Sequence, residues 1–328
     1  MTTKAKLLQQ LSENRHQWIS GEALSHRLGI SRTAVWKQIN NLKADGHRIQ
    51  SAPKKGYRLE QIADLITADG LQGMLKTRVM GRPAVHVFDE TDSTNLQAKI
   101  MAGRNAPEGT LVVADTQTLG RGRRQRSWYS PPGRNIHASL ILRPQLSPSQ
   151  APQITLVTAV ALAKTLKAQA GLDARIKWPN DIMVGGKKIA GILTELSADM
   201  EAVDWVVVGF GINVNLRRNE LPEEIAPIAT SIYLEKGREA FRTDLICNLM
   251  ENFEAAYDLL NSQGFGPVMQ QWRSLTDLIG QRVFVDVMGN RHTGEVAAVD
   301  DDGALILKDA QGEIHRIISG DVTRIRPT

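Results

Sequence analysis

The first 45 residues place apolar side chains at helical spacing, with short polar turns between the runs. Three short helices are predicted, over residues 4–14, 22–28 and 31–44. In the third, Val35, Ile39 and Leu42 share one face, so most of its polar residues fall on the opposite face. Because only the tight turn 28–30 separates the last two helices, the pair is typical of a helix-turn-helix whose second helix reads DNA.

A basic β-hairpin follows the third helix. Two short β-type runs, 48–50 and 57–59, flank a Pro-Lys-Lys-Gly turn, which is the arrangement of a wing. A three-helix protein-interaction domain would show the same apolar spacing, but the basic hairpin favours DNA binding. The residues expected to contact DNA are Ser31, Arg32, Thr33, Lys37, Lys54 and Lys55.

From about residue 80 the pattern mixes strand and helix periods. Strands are predicted at 85–89, 110–115, 136–142, 175–178, 181–184, 188–196 and 204–209. Helices are predicted at 93–101, 149–170 and 238–262. Gly185 and Gly186 separate two of the strands, which is a strong hairpin signal. Strands joined by hairpins, with helices between them, indicate an α+β domain with a mixed sheet.

The last part of the chain changes character again. Short strands are predicted at 283–287, 294–299, 304–307 and 314–318, separated by glycine-containing turns. This pattern is typical of a small all-β barrel of SH3-like size. We therefore predict three domains: a winged helix-turn-helix over 1–64, a catalytic α+β domain over 65–275 and a C-terminal barrel over 276–328.

Charge and cysteine content limit the classes of protein to which the chain can belong. Residues 1–64 hold eleven of the 40 Lys and Arg residues but five of the 35 Asp and Glu residues, so this part carries a net charge of +6 and the rest of the chain −1. This asymmetry favours a DNA-binding module on a nearly neutral body. The single cysteine, Cys247, excludes a disulfide framework. With no visible secretory segment or bilayer-long apolar run, we expect a cytoplasmic protein without a membrane partner.

A loop of arginines and glycines is the most distinctive segment of the chain. Four arginines occupy seven positions between residues 120 and 127, two glycines lie among them, and Trp128 follows. Glycine lets the backbone approach a ligand, and arginine offers planar donors to phosphate and carboxylate. A solvated surface run is the alternative on composition alone. The neighbouring segments favour a mobile loop that closes over a nucleotide or nucleic acid.

Three further polar segments carry groups that a nucleotide-activating enzyme needs. Residues 92–95 lie at a helix start, where N–H groups point outward, although capping alone would explain them. Residues 177–181 form a compact Lys-Trp-Pro-Asn-Asp segment. Lys188 begins an apolar strand, where it is either an edge gatekeeper or a desolvated cation facing a ligand. The sequence contains no P-loop, no metal-ligand spacing and no sign of a Ser-His-Asp triad.

In their order along the chain, these segments resemble the biotin protein ligases. The matching segments are TDSTN at 91–95, GRGRR at 120–124, KWPND at 177–181, KIAGIL at 188–193 and GFGIN at 209–213. With the predicted end domains, the chain resembles the bacterial members that also repress the biotin operon. The resemblance implies that biotin and ATP, with Mg²⁺, form biotinyl-5′-AMP, and that biotin then passes to a lysine of a biotin carboxyl carrier domain. It also implies operator DNA as a partner and a homodimer promoted by biotinyl-AMP.

The resemblance also implies roles for individual positions. Lys188 would lie beside the reacting carboxylate and α-phosphate, and with Arg123 it would be catalytic. The implied biotin-binding residues are Ser93, Thr94, Asn95, Gln117, Gly120, Arg121, Gly122, Arg123, Lys188 and Gly191. The implied contacts to ATP and the adenylate are Arg121, Arg123, Trp128, Lys177, Asn180, Asp181, Asn213 and Arg324. Asp181 would be the Mg²⁺ contact, through the phosphates.

Gln125 departs from the family pattern, which has glycine at this position of the arginine loop. If the position needs φ > 0, we expect altered retention of biotinyl-AMP rather than lost activity. Two other functions stay open. A lipoate-type ligase is disfavoured by the arginine loop and the winged helix. A ligand-sensing repressor without catalysis is disfavoured by Lys188 and the segment 177–181.

Overall fold

The computed structural model describes residues 2–61 and 63–325. The chain separates into two compact units, Met1–Gly73 and Met74–Thr328. The three-domain division at residues 64 and 275 remains a prediction, and the end of its last domain, 326–328, lies outside the described residues.

The first unit begins with three helices and a hairpin. Its elements are α1 (Thr3–Glu13), α2 (Gly21–Leu28), α3 (Arg32–Ala44), β1 (Arg48–Ala52) and β2 (Gly56–Gln61). Ser20 and Ser31 cap α2 and α3 by accepting hydrogen bonds from backbone N–H groups, and Gly29 ends α2 at φ 63°. Leu7, Leu11 and the apolar stripe of α3 are fully buried. The predicted winged helix-turn-helix is confirmed.

The second unit contains a mixed α/β segment. A short helix, α4 (Ala68–Met74), spans the junction between the units. The strands are β3 (Val85–Thr91), β4 (Leu111–Gln117), β5 (Asn135–Leu142), β6 (Arg175–Lys177), β7 (Asp181–Val184), β8 (Lys187–Ala198) and β9 (Val203–Asn213). The helices are α5 (Thr94–Gly103), α6 (Pro152–Ala170), α7 (Ile232–Lys236), α8 (Arg242–Gln263) and α9 (Phe265–Ser274).

These seven strands form one sheet in the order β3-β4-β5-β9-β8-β7-β6. Only β3 and β4 are parallel, and each other neighbouring pair is antiparallel. Helix α5 packs on β4, β5 and β9, whereas α6 packs on α8, α9 and β8. The prediction of a mixed α+β sheet is confirmed, including the hairpin at Gly185 and Gly186, both of which have positive φ.

The C-terminal part is an antiparallel β structure. Its strands are β10 (Arg282–Val287), β11 (Asn290–Val299), β12 (Leu305–Lys308), β13 (Ile314–Ile317) and β14 (Asp321–Arg324), in the order β13-β12-β11-β10-β14. The pattern of the sequence missed β14, which is four residues long. It also missed α9, because Gly264, Gly266 and Pro267 obscure the start of that helix. Among the described residues no helix has the length and apolarity that a membrane crossing needs.

Candidate functional site

A cavity of about 1090 Å³ lies beside the seven-stranded sheet. Each of the five segments that carry the family resemblance contributes to its wall, although they are spread over more than a third of the chain. Arg121, Arg123, Lys188, Ser93 and Trp128 all line this one space. The predicted ligase residues that line it are Ser93, Thr94, Asn95, Gln117, Arg121, Gly122, Arg123, Trp128, Lys177, Asn180, Asp181, Lys188, Gly191 and Asn213.

Small polar side chains converge at the start of α5. The backbone N–H and hydroxyl of Thr94 both donate to Gln117 Oε1, at 2.8 and 3.1 Å. The hydroxyl oxygens of Ser139 on β5 and of Thr94 lie 2.8 Å apart. Ser93 occupies the N-cap of α5 without capping it by its side chain, and it is buried. Its hydroxyl is therefore available to a ligand at this end of the cavity.

Asn95 has a different character from its two neighbours. It accepts from Ser139 at 2.6 Å and donates to Leu193 O and to Glu195 Oε2. A β-carbon on Gly209 would lie 2.0 Å from Asn95 Oδ1, so only glycine leaves room for the amide. Asn95 thus ties α5 to strands β8 and β9, and its predicted biotin contact stays a prediction.

Glycines also make room for Trp128. A β-carbon on Gly211 would lie 2.4 Å from the Trp128 ring, and one on Gly191 would lie 3.0 Å from it. The indole therefore rests directly on the backbone of β8 and β9. Asn213, two residues beyond Gly211, donates to Thr230 O at 3.0 Å and borders the same cavity.

A group of cations borders the Trp128 ring. Lys188 Nζ lies 5.3 Å from the centre of the indole and 2.6 Å from Asp181 Oδ1. Lys177 is next to this pair, and burial lowers the pKa of its amine against the opposing charge of Asp181. Ammonium groups held in a partly desolvated wall attract an anion strongly, because the low dielectric screens them little.

The arginine loop is held against the C-terminal sheet. Arg123 donates to Asn180 Oδ1 at 3.1 Å and to Gly320 O at 3.2 Å. Arg124 and Arg126 each lie 3.5 Å or less from Asp321 Oδ2. Arg121 lines the cavity and has no ion-pair partner in the part of the chain that the structure describes. Arg123 and Arg126 thus line the cavity while bonded to the C-terminal sheet, and Arg121 lines it without such a bond.

Gln125 has φ 59°, next to Arg124 at φ 53°. A side chain is strained in this left-handed region, which glycine adopts freely. Position 125 therefore has the positive φ at which we expect glutamine to alter the retention of biotinyl-AMP.

Two predicted ligase residues lie outside the cavity wall. Gly120 is behind it, where a β-carbon would approach Trp128 O and Ser130 Oγ. Arg324 forms an ion pair with Asp277 and is 41% exposed. It lies near enough to Lys177 to lower the pKa of that amine further. The roles of both residues stay predictions.

His137 and Asp321 line the cavity, but nothing in the sequence pattern indicates that they belong to the site. His137 is one alternating residue of an apolar strand, and Asp321 follows a glycine in the C-terminal sheet. Only the strand register and the packing of the C-terminal segment bring them to the site.

The positions of the carboxylate and imidazole side chains show where a Mg²⁺ could bind. In the described ranges, Asp309, Glu313 and His315 form the one group whose ligand atoms lie close enough together to hold a metal ion, and none of them lines the cavity. The cavity wall holds three carboxylates, Asp181, Glu224 and Asp321, and Asp181 is the one paired with Lys188. Mg²⁺ in nucleotide sites is commonly held by one or two carboxylates plus phosphates. Asp181 therefore fits a Mg²⁺ that arrives with a nucleotide.

The first unit carries a separate polar surface. The side chains expected to contact DNA are all exposed: Ser31, Arg32, Thr33, Lys37, Lys54 and Lys55. The Ser31 hydroxyl already accepts from Ala34 N–H at 3.1 Å, so it is partly committed to the cap. Trp36, which the sequence reasoning did not select, is 58% exposed on the same helix face.

Three family models match successive parts of the chain. Residues 3–58 match a helix-turn-helix domain, residues 87–213 match the biotin/lipoate A/B protein ligase family, and residues 278–323 match the biotin protein ligase C-terminal domain. The order agrees with the three segments predicted from the sequence pattern.

Individual relatives match over nearly the whole chain. The bifunctional ligase/repressor BirA of Bacillus spizizenii is 40% identical over 98% of each chain. The Escherichia coli protein of the same name is 31% identical over 98% of this chain and 97% of its own. A biotin protein ligase from Aquifex aeolicus, solved with biotin and ATP, is 29% identical with a TM-score of 0.64, covering 74% of this chain and 99% of its own.

Proposed function

The chain belongs to the bifunctional ligase/repressor family of biotin protein ligases, and on this premise we propose its reaction and its partners. The protein joins biotin and ATP to form biotinyl-5′-AMP and pyrophosphate. It then transfers biotin to a lysine of a biotin carboxyl carrier domain. With its N-terminal unit it binds operator DNA of the biotin operon, in response to biotinyl-AMP.

One observation supports the catalytic part most directly. Five separate sequence segments meet around one cavity, with small polar side chains at the start of α5 and clustered cations beside Trp128. Biotin is polar at its fused rings and anionic at its carboxylate, so its two ends match the two ends of the cavity. The Trp128 ring between them offers a flat surface for adenine.

The first step joins two anions, and the cations lower its barrier. A carboxylate oxygen of biotin attacks the α-phosphorus of ATP, and the bond to the bridging oxygen breaks as pyrophosphate leaves. Lys188 and Arg123 would stabilise the charge that builds up on the α-phosphate, with Arg121 in the same cavity wall. Mg²⁺ bound with ATP would offset charge on the departing phosphates. No covalent enzyme intermediate is needed.

In the second step the amine of the carrier lysine attacks the acyl carbon, and AMP leaves as the carbon–oxygen bond breaks. The attacking amine loses its proton to solvent. A mixed anhydride hydrolyses readily in water, so the cavity must exclude water until the carrier arrives. The arginine loop, held by Asp321 and Asn180, covers this side of the cavity.

Pyrophosphate release with different acids tests the proposal. The protein should release pyrophosphate from ATP with biotin and should add the mass of one biotinyl group to a carrier domain. Release with lipoate in place of biotin would indicate a lipoate-type ligase. Binding of biotin without any release would indicate a repressor without catalysis. Either result would overturn the proposed reaction.

The operator-binding part is supported by the exposed basic face of α3 and the wing. Both lie in the unit that holds the excess positive charge. Since ATP, the carrier domain and operator DNA are its ligands, we place the protein in the cytoplasm. DNA from upstream of the biotin operon should bind in a mobility-shift assay, and biotinyl-AMP should tighten the binding. Equal affinity for unrelated DNA at every salt concentration would contradict a repressor role.

A homodimer is part of the same proposal. One winged helix binds a DNA half-site weakly, and a palindromic DNA site has the same two-fold symmetry as a dimer. Strand β7 pairs with β8 only at Lys187–Gly191. No strand of the described ranges covers the outer edge of β8 from Leu193 to Ala198, and Leu196 there is 42% exposed. An unpaired strand edge is a ready surface for a second copy.

Sedimentation with and without biotinyl-AMP tests the dimer. The ligand should shift the protein from monomer to dimer, and Leu196→Asp should weaken that shift. Met200→Asp is a matched control, because Met200 is 98% exposed just beyond the strand. A dimer that both variants leave unchanged would place the interface elsewhere.

A further inference from the structure

His137 is a buried histidine whose ring faces the ligand cavity without a partner. It is 1% exposed on β5 and lines the cavity. Neither ring nitrogen forms a hydrogen bond of ordinary geometry. Carbonyl groups of Ala114 and Asp115 lie close enough to affect its pKa but do not satisfy the ring. A buried polar group left unpaired is costly, so such a group in a cavity wall indicates a missing ligand.

The strand register places His137 opposite Ala114 on β4 and Gly211 on β9. Trp128 rests on Gly211. In the other direction, Ser139 shares the strand face of His137 and bonds to Thr94. His137 therefore lies between the indole and the polar end of the cavity.

The imidazole is neutral at physiological pH. Burial lowers its pKa to about 4, against the smaller opposing effect of the Asp115 carboxylate, and Arg242 lowers it further. A neutral imidazole offers one N–H donor and one nitrogen acceptor. Trp128 Nε1 is a second buried donor without a partner in the same wall. Both residues line the same cavity as Thr94.

We propose that His137 contacts the ring system of biotin and forms a hydrogen bond with its ureido group. The ureido group carries N–H donors and a carbonyl acceptor, so it can bond to either the acceptor nitrogen or the N–H donor of a neutral imidazole. This inference rests on the proposed ligase function and adds a residue that determines its substrate.

The consequence is discrimination against acids with an apolar ring. The dithiolane of lipoate has no ureido group, so lipoate in this cavity would leave His137 buried and unsatisfied. A site built to hydrogen-bond a substrate rejects analogues that lack the bonding group, because its own polar atoms lose their partner. His137 thus supplies part of the preference for biotin over lipoate.

Binding of biotin without ATP tests this role apart from catalysis. The variants are His137→Phe, which keeps a ring but removes both nitrogens, and His137→Gln, which restores a donor and an acceptor. His86→Phe is a matched control, because His86 is exposed on β3 and does not line the cavity. The ligands are biotin and desthiobiotin, which has the ureido ring but no sulfur ring, measured by calorimetry.

We expect His137→Phe to weaken both ligands about tenfold, as loss of one buried hydrogen-bonding partner does. His137→Gln should recover part of the loss, and His86→Phe should bind like the wild type. The ratio of biotin to lipoate in pyrophosphate release should fall by a similar factor in His137→Phe. Wild-type affinity in His137→Phe would overturn the proposal. The proposal would also be overturned if His137→Phe bound biotin more weakly but desthiobiotin normally, or if only its affinity for ATP fell.

A second measurement serves if His137→Phe does not fold. In wild-type protein with ¹⁵N-labelled imidazoles, biotin should shift both ring-nitrogen resonances of His137, and lipoate should not. Absence of any shift would overturn the contact. If wild-type protein releases no pyrophosphate with biotin, the proposed function fails. If the wild-type protein is active and the His137 variants bind biotin as tightly as it does, this inference is refuted and the proposed function stands.

Discussion

The DNA-facing surface and the ligase cavity of this protein are built over very different distances in the sequence. The residues of the first unit that we expect to contact DNA come from one helix and the hairpin after it, within residues 31–55. The cavity joins Thr94 to Gln117, Arg123 to Asn180 and Asn95 to Leu193. A surface made by one local motif can be recognised from its pattern, whereas a cavity made by sheet register cannot be outlined in the same way.

The sharpest test of the cavity is Lys188→Ala. Loss of the ammonium should slow pyrophosphate release by a factor of about 10²–10³, the usual cost of removing one charge-stabilising group. The fold should survive, because Lys188 is anchored by backbone bonds to Ile228 and Thr230 that alanine retains. DNA binding by the first unit should be unaffected without ligand. Lys187→Ala is the matched control, and wild-type turnover in Lys188→Ala would refute the assignment.

Acid should destabilise the second unit through His137. Its pKa is about 4 in the folded protein and near 6.5 when exposed, so the unfolded chain binds more protons between these values. Stability is therefore full above about pH 6.5 and falls by about 2 kcal/mol on going to about pH 5. The groups that face the ring are Asp115, which opposes this shift, and Arg242, which adds to it.

Urea unfolding at the two pH values measures this effect, with amide exchange on β5 reporting the second unit. His137→Gln should remove most of the pH dependence there. His47→Gln is a useful contrast, because burial also lowers the pKa of His47 in the first unit. If His137→Gln and wild type lose stability equally, the ring does not carry the effect.

Removing a single charge from the DNA-binding surface should weaken DNA binding and leave pyrophosphate release unchanged. This is the opposite of the result expected for Lys188→Ala. Arg32→Ala should weaken operator binding about tenfold, and Lys37→Ala should reduce the salt dependence of binding by about one counterion. Pyrophosphate release should stay at the wild-type rate in both variants. Lys164→Ala, an exposed cation in the second unit, is the control. A loss of ligase activity in Arg32→Ala would break the distinction between the two regions.

The smallest effect is expected at Gln125. Glycine relieves the strain of φ 59°, so Gln125→Gly should favour the ordered loop and slow the release of biotinyl-AMP about threefold. Gln125→Ala keeps the strain and is the control. An unchanged off-rate in Gln125→Gly, measured by stopped-flow fluorescence, would count against the idea.

Local signals predicted the elements that local chemistry decides. Ser20, Ser31 and Gly29 mark the ends of α2 and α3 because a cap or a left-handed residue acts within a few positions. The Gly185-Gly186 turn is equally local. In contrast, α9 was missed because glycine and proline near its start lower helix propensity, and packing of Val268 and Trp272 overrides that penalty.

The predicted site residues illustrate the same limit. Most line the cavity, since each motif lies at the end of a strand or helix that the sheet brings together. Arg324 pairs with Asp277 outside the wall, and Asn95 is bonded to protein atoms on both sides of its amide. His137 was not selected because a single histidine in an apolar strand shows nothing about its neighbours.

The sequence by itself determined the helix-turn-helix, the α+β class and the set of polar segments around the ligand, because these depend on periodicity, caps and turns. The tertiary structure decided that Gly211 leaves room for Trp128, that Asp321 holds the arginine loop and that His137 lines the cavity without a hydrogen-bond partner. These depend on which residue of one strand lies opposite which residue of another. That register is set by the burial of the whole sheet and not by any short stretch of sequence.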